Sequence, residues 1–206
     1  MSEADRSDRL VADELRAALR EGCVGNQVVV VEKARSTNDI AWEAAERGAA
    51  EGLVVFAERQ TAGRGQYGRR WESAPFQGLW FSVLLRPPIT LNESPRLTSL
   101  LASVAAATIM EETGCAASIK APNDIYVAGR KIAGVLVEGR TASDRSYVAV
   151  AGVGVNINQT LKDFPAELRA TAGSLRMATG RQIQRGHLAI ALLRKLETDY
   201  RAFTRA

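Results

Sequence analysis

Residues 60–75 read Gln-Thr-Ala-Gly-Arg-Gly-Gln-Tyr-Gly-Arg-Arg-Trp-Glu-Ser-Ala-Pro, and how this run is read decides the fold. Gly63-Arg64-Gly65-Gln66-Tyr67-Gly68 matches G-x-G-x-x-G, the spacing of a dinucleotide-binding loop. Such a loop opens a helix at its last glycine, and the strand after it ends in an acid that takes a ribose hydroxyl. Here Arg69-Arg70-Trp71-Glu72-Ser73-Ala74-Pro75 comes next, which is no helix start, and the next apolar run ends in Arg86-Pro87. Context therefore argues against a Rossmann site. A P-loop fails on the same kind of test, since Gly129 and Gly134 are followed by Val135-Leu136 where Lys and Ser or Thr are required. The remaining reading is a glycine-rich, arginine-bearing loop between two apolar strands. Its backbone can approach a ligand closely and offer N–H groups as an anion nest, and its arginines offer planar forks for carboxylate or phosphate. It is expected to be mobile when empty and ordered by ligand.

The flanking runs are bounded by turn signals. Leu53–Glu58 reads as a strand before the loop, and Leu79–Arg86 as one apolar on both faces after it, stopped by Pro87-Pro88. Upstream, Val28–Glu32 reads as a buried strand. Ser36-Thr37-Asn38-Asp39 then gives a capping-box-like start to a helix that carries Ile40, Ala41, Ala44 and Ala45 and ends at Gly48. Residues 9–20 set Leu10, Val11, Leu15 and Leu19 on one face of a short helix, part of a helical extension over 1–27 that is too short for a DNA-binding domain. Downstream, Ser94-Pro95 form an N-cap and first-turn pair for a helix with Leu97, Leu100, Leu101, Val104, Thr108 and Ile109, closed by Gly114. Ser118–Lys120, Ile125–Val127, Lys131–Glu138 and Ser146–Asn156 read as strands, with turns at Ala128-Gly129 and around Ser143-Asp144. A last helix, from about His187, aligns Ala189, Leu192, Leu193, Leu196, Tyr200 and Phe203. Hairpins outnumber crossovers. The order predicts an α+β fold over 1–206, a single domain whose mixed, mostly antiparallel sheet is covered by helices.

Composition fits an ordinary globular enzyme-sized domain, at 206 residues, 46% hydrophobic and 24% charged. The apolar runs Leu53–Ala57, Leu79–Leu85 and Val148–Val155 fall short of the ~20 residues that span a bilayer, and the start is too polar for a secretory signal, so no membrane partner and a cytoplasmic location are expected. Cys23 and Cys115 form no CxxC, and His187 has no ligand partner nearby, which argues against zinc or a disulfide framework. The net charge of +4 has one source: Arg59, Arg64, Arg69 and Arg70 fall in a twelve-residue stretch without an acid, and the rest of the chain carries 23 basic and 23 acidic residues. Four arginines with no basic stripe elsewhere make a thin footprint for nucleic acid and a better one for a small anion.

Five blocks, in order, carry a resemblance. Ser36-Thr37-Asn38, Gln60 through Gly65 with Gly68-Arg69-Arg70-Trp71, Lys120-Ala121-Pro122-Asn123-Asp124, Gly129-Arg130-Lys131-Ile132-Ala133-Gly134-Val135-Leu136-Val137-Glu138 and Gly152 through Asn158 resemble the signature of biotin protein ligases. The resemblance implies a fold similar to class II aminoacyl-tRNA synthetase cores. It also implies a two-step reaction, in which biotin and ATP with magnesium give biotinyl-5′-AMP, and a lysine of an apo biotin carboxyl carrier protein then takes the biotinyl group. It assigns biotin contacts to Ser36, Thr37, Asn38, Gln60, Gly63, Arg64, Gly65, Gln66, Lys131, Gly134, Leu136 and Gly152, with Lys131 and Arg64 catalytic and Arg64 facing carboxylate and phosphate. Arg69, Trp71, Asn123, Asp124 and Asn156 would serve ATP, with Asp124 and Asn156 also serving magnesium. Ser36 can cap its helix and bind ligand at once. A homodimer is one assembly the resemblance implies.

Three features depart from the family pattern. Gln66 stands where a second arginine is usual, which predicts that the adenylate leaks more readily. Ala121 replaces the tryptophan of K-W-P-N-D. The chain ends after its terminal helix, so neither an SH3-like C-terminal domain nor an N-terminal helix-turn-helix domain is expected, and DNA binding is not expected either. The rival readings are a ligase-like protein that binds biotin or its adenylate but transfers poorly, a lipoyl or octanoyl transferase of the same fold, and a nucleic-acid module. Cys115 has no motif around it to serve the octanoyl chemistry.

Overall fold

The computed structural model describes residues 8–19, 22–142 and 144–205. Helix α1 (Ala12–Ala18) leads to strand β1 (Gln27–Ala34), helix α2 (Thr37–Glu46), β2 (Leu53–Gln60), β3 (Gly78–Leu85) and the long helix α3 (Ser94–Thr113). Strands β4 (Ala117–Lys120), β5 (Asp124–Val127), β6 (Arg130–Thr141) and β7 (Tyr147–Asn156) follow, then the short α4 (Leu175–Thr179) and the terminal α5 (Arg185–Arg205). They form a seven-stranded sheet in the order β1-β2-β3-β7-β6-β5-β4. β1 and β2, bridged by α2, run parallel, and every other neighbouring pair is antiparallel. The expected mixed, mostly antiparallel sheet is thus present.

Alternation along the central strands sets the two layers. Leu79, Phe81, Val83 and Leu85 of β3 join Ala149, Ala151, Val153 and Val155 of β7 under α1, α3 and α5. On the other face Leu84, Val55, Val148 and Val150 pack against Ala41 and Trp42 of α2. The remainder of that second face is nearly bare of side chains, because Gly134 pairs with Gly154 and Leu136 with Gly152 across β6 and β7.

Element ends differ from expectation where local chemistry was misassigned. α1 is shorter than residues 9–20, and Val11 is its extended N-cap, 42% exposed rather than on the buried face. Arg20, residues 1–7 of the expected extension and Ser143 of the expected turn lie outside the described residues. β1 is not a buried strand: as the sheet edge it alternates between exposed and half-buried positions. At α3 the N-cap is Glu93 rather than Ser94, because a Thr90–Glu93 capping box starts the preceding turn. The reciprocal capping box at Ser36–Asp39 does not form either: Ser36 Oγ accepts from Asn38 N, but the Asp39 carboxylate is taken by Arg64.

One buried charge ties the termini to the sheet. Arg185, wholly buried, donates to Glu58 Oε2 (2.5 Å), Asp8 Oδ2 (3.2 Å) and the Gly78 carbonyl (3.1 Å), and Leu10 N donates to Glu58 Oε1 (3.0 Å). Removing one member strands the others without solvent. Arg185→Ala should therefore cost about 3–5 kcal/mol of stability in urea unfolding; a change below about 1 kcal/mol would refute this reading of the network.

Candidate active site

The bare sheet face, the N-terminus of α2 and the 61–72 loop enclose a cleft of about 610 Å³, within the range of small-molecule sites. Its first end is neutral and hydrogen-bonded. Ser36, Thr37 and Asn38 are all buried. Because β1 ends beside β2, Gln60 reaches the first turn of α2, where its Oε1 accepts from Thr37 N (2.8 Å) and Thr37 Oγ1 (3.2 Å). Ser82 of β3 lies beneath them, with Oγ 2.6 Å from Thr37 Oγ1 and 2.5 Å from Asn38 Oδ1. Asn38 Nδ2 is buried and has no partner among the described residues.

The floor is glycine. A Cβ on Gly154 would stand 2.5 Å from the Trp71 ring, on Gly134 3.0 Å from it, and on Gly152 2.4 Å from Asn38 Oδ1. Trp71 therefore lies flat against β6 and β7, edge-on to Trp80 at 6.2 Å, with its Nε1 buried and unpaired.

The glycine loop folds as a small hairpin. Gly65 N donates to the Arg69 carbonyl (2.7 Å), Trp71 N to Gly63 (2.9 Å) and Arg69 N to Gln66 (3.2 Å). Those three N–H groups, Gly65 alone of them within Gly63–Gly68, are spent inside the loop. Tyr67, at φ +59°, forms the tip and is 90% exposed. Arg64 lines the cleft and is ion-paired there. Its Nη1 donates to Asp39 Oδ1 (2.7 Å) and its Nε to Glu138 Oε1 (3.2 Å), so two carboxylates hold the fork that was expected to face substrate. Burial alone would lower its pKa, but the Asp39 hydrogen bond and the Glu138 charge outweigh that and raise it. Arg64 thus ties the loop to α2 and β6 while it lines the cleft.

The second end of the cleft is polar and charged. Lys131 Nζ pairs with Asp124 Oδ1 at 2.7 Å and stands 5.4 Å from the Trp71 ring centre. Its backbone is pinned by the segment after β7, with Lys131 N donating to Thr171 and Gly173 N to Lys131. Asn123 Nδ2 donates to the Val135 carbonyl, holding the β4–β5 turn against β6. Arg69, Lys120 and Ala121 line the rim. Of the two residues expected to serve magnesium, Asp124 pairs through Oδ1 with Lys131, and Asn156 Oδ1 accepts from Gln159 Nε2 (3.2 Å).

With this geometry in place, the comparisons are direct. The model of the biotin/lipoate A/B protein ligase family matches residues 30–156. The chain belongs to that family. The Mycobacterium tuberculosis biotin–[acetyl-CoA-carboxylase] ligase is 32% identical over 96% of this chain and 73% of its own length. The Bacillus subtilis bifunctional ligase/repressor BirA is 38% identical over 95% of this chain, which spans 60% of that relative. Among solved structures, the Aquifex aeolicus biotin protein ligase in complex with biotin and ATP aligns with a TM-score of 0.73 at 29% identity, over 87% of this chain and 72% of that one. The Leishmania major biotin protein ligase in complex with biotinyl-5-AMP aligns at 0.70 and 25%, over 87% and 76%. The sheet is thus the class II aminoacyl-tRNA synthetase-like fold of the biotin ligases.

In this family member every site residue named from the sequence lines the cleft except Gly63. Gly63 instead closes the hairpin, where a Cβ would meet the Trp71 carbonyl at 2.7 Å. Sequence reasoning missed Ser82, Asp39, Glu138 and Gln159. Glu138 left a signal as the last residue of the fourth block, and Ser82 as a lone hydroxyl in the otherwise apolar run Leu79–Leu85, where a buried polar group must find partners.

The glycine floor gives a direct test. Gly154→Ala should force the Trp71 ring off the sheet, changing the near-ultraviolet circular dichroism and costing about 1–3 kcal/mol in urea unfolding. An unchanged spectrum would contradict the packing described.

Proposed function

We propose that the protein activates biotin with ATP to biotinyl-5′-AMP and then transfers the biotinyl group to a lysine of a biotin carboxyl carrier domain. One observation carries this reading: a single cleft joins a buried neutral end, where Asn38 holds an unpaired donor, to an end that bears the Lys131 ammonium. A ligand with a polar uncharged ring at one terminus and a carboxylate at the other matches that division. The ligands and names of the similar Aquifex, Leishmania and Mycobacterium enzymes support it.

In the first step a biotin carboxylate oxygen attacks the α-phosphorus of ATP, the bond to the bridging β-phosphate oxygen breaks, and pyrophosphate leaves. Two anions must meet, so the protein's task is to position them and offset their charge. Lys131, held by Asp124 and braced against the Trp71 face, supplies a fixed ammonium where carboxylate and α-phosphate converge. Arg69, which makes no ion pair among the described residues and lines the cleft, is the cation this reading assigns to the triphosphate. Magnesium enters with that triphosphate as part of the co-substrate. In the second step the amine of the acceptor lysine attacks the acyl carbon, an amide forms, AMP leaves with the electrons of the anhydride bond, and the released proton goes to solvent.

Incubation with biotin, magnesium-ATP and an apo carrier domain should yield pyrophosphate and a carrier mass gain of one biotinyl group. Lys131→Ala should lower pyrophosphate release about a hundredfold or more while leaving the melting transition in place; an active variant would remove Lys131 from the chemistry. Gln66→Arg restores a charge on the loop that closes the cleft, so it should slow the escape of biotinyl-AMP into solution relative to the wild type. Equal escape rates would show that position 66 does not govern retention.

A further inference from the structure

Beneath Thr37 and Asn38 lies a buried residue outside all five sequence blocks, Ser82, midway along β3. Its Oγ lies 2.6 Å from Thr37 Oγ1 and 2.5 Å from Asn38 Oδ1, and it has one proton to give. The Thr37 hydroxyl has another acceptor in Gln60 Oε1, whereas Asn38 Oδ1 has no other donor among the described residues. The Ser82 proton therefore goes to Asn38. The separation agrees, since 2.5 Å falls in the range of O–H···O bonds and below that of N–H···O bonds. With its oxygen occupied by Ser82, the Asn38 amide keeps its nitrogen, buried and unpaired, as the group left for a ligand. Gln60 is biased the same way, because Thr37 N occupies its oxygen. Gly152 adds the space: any side chain there would collide with the Asn38 amide.

We propose that Ser82 is a positioning residue that locks the Asn38 amide with its nitrogen as donor, so that the neutral end of the cleft accepts a ligand carbonyl and rejects a ligand carrying a donor at that place. Resting on the function proposed above, the carbonyl is the ureido oxygen of biotin. A ligand that leaves the buried donor unpaired, or opposes it with another donor, forfeits the hydrogen bond and bears the desolvation cost as well.

The test compares binding of biotin and 2-iminobiotin, which at neutral pH carries N–H donors where biotin has the carbonyl oxygen, by titration calorimetry. The wild type should prefer biotin. Ser82→Ala releases the Asn38 amide to turn over, and the preference should narrow about tenfold or more. Ser82→Cys, whose thiol is a weak donor, should narrow it as well and carries the test if Ser82→Ala does not fold; Asn38→Asp, which replaces the donor nitrogen with an acceptor oxygen, should narrow or invert it. A purely structural Ser82 would weaken both ligands alike or only lower the melting temperature, leaving the ratio unchanged, and that result in a folded Ser82 variant overturns the proposal. If the wild type binds biotin and the ratio persists, only the positioning role fails; if the wild type binds neither ligand, the biotin reading fails and takes this inference with it.

Discussion

The site depends on a stretch of sheet that has no side chains. Gly134 and Gly154 face each other across β6 and β7, with Gly152 next along the strand, and all three lie on the face that α2 leaves uncovered. Close packing leaves little slack for a methyl group at such positions. Because these positions are bare, Trp71 can lie on the sheet and Asn38 can reach into it. Trp71 in turn closes the base of the 61–72 hairpin through its backbone N–H, so floor and loop are parts of one packed unit.

Charge is distributed differently in space from its distribution along the chain. The four arginines of residues 59–70, Arg59 at the end of β2 and three in the loop, account for the formal excess of +4, yet Arg64 is held by Asp39 and Glu138, and Arg70 by Glu72. The loop is tied by these pairs to α2 and β6, and Lys131 on β6, itself paired with Asp124, and Arg69 add positive charge along the cleft. Lys131 is positioned by contacts from three directions: the Asp124 carboxylate, the Trp71 ring, and backbone bonds to the 171–173 segment. A charge fixed in this way needs no reorganisation as a reacting anion develops.

Most of the sheet was legible because its strands are apolar runs broken by turn residues, and the alternation of Leu79–Leu85 and Val148–Val155 sorts directly into two layers. The glycine loop could be separated from a dinucleotide site by the Arg69–Pro75 run after it, and the five motif blocks located nearly all of the cleft. Pairing across long sequence distance could not be read. Arg64 lies 74 residues from Glu138, Arg185 lies 127 from Glu58, and the residues around either arginine carry no sign of its distant carboxylate. β1 was misjudged for a related reason, since an apolar run looks the same at a sheet edge as at its centre. The segment after Asn158 has turns rather than periodicity, so its packing against Lys131 emerges only in three dimensions.

In the proposed function, one cleft recognises a neutral polar ring at Asn38 and activates a carboxylate at Lys131. The most direct test is exchange of labelled pyrophosphate into ATP, driven in parallel by biotin, lipoate and octanoate. Exchange with biotin that exceeds the other two acids at least about a hundredfold is the predicted result, since neither alternative brings a carbonyl to the unpaired amide. Equal exchange with lipoate or octanoate, or none with biotin, would contradict it.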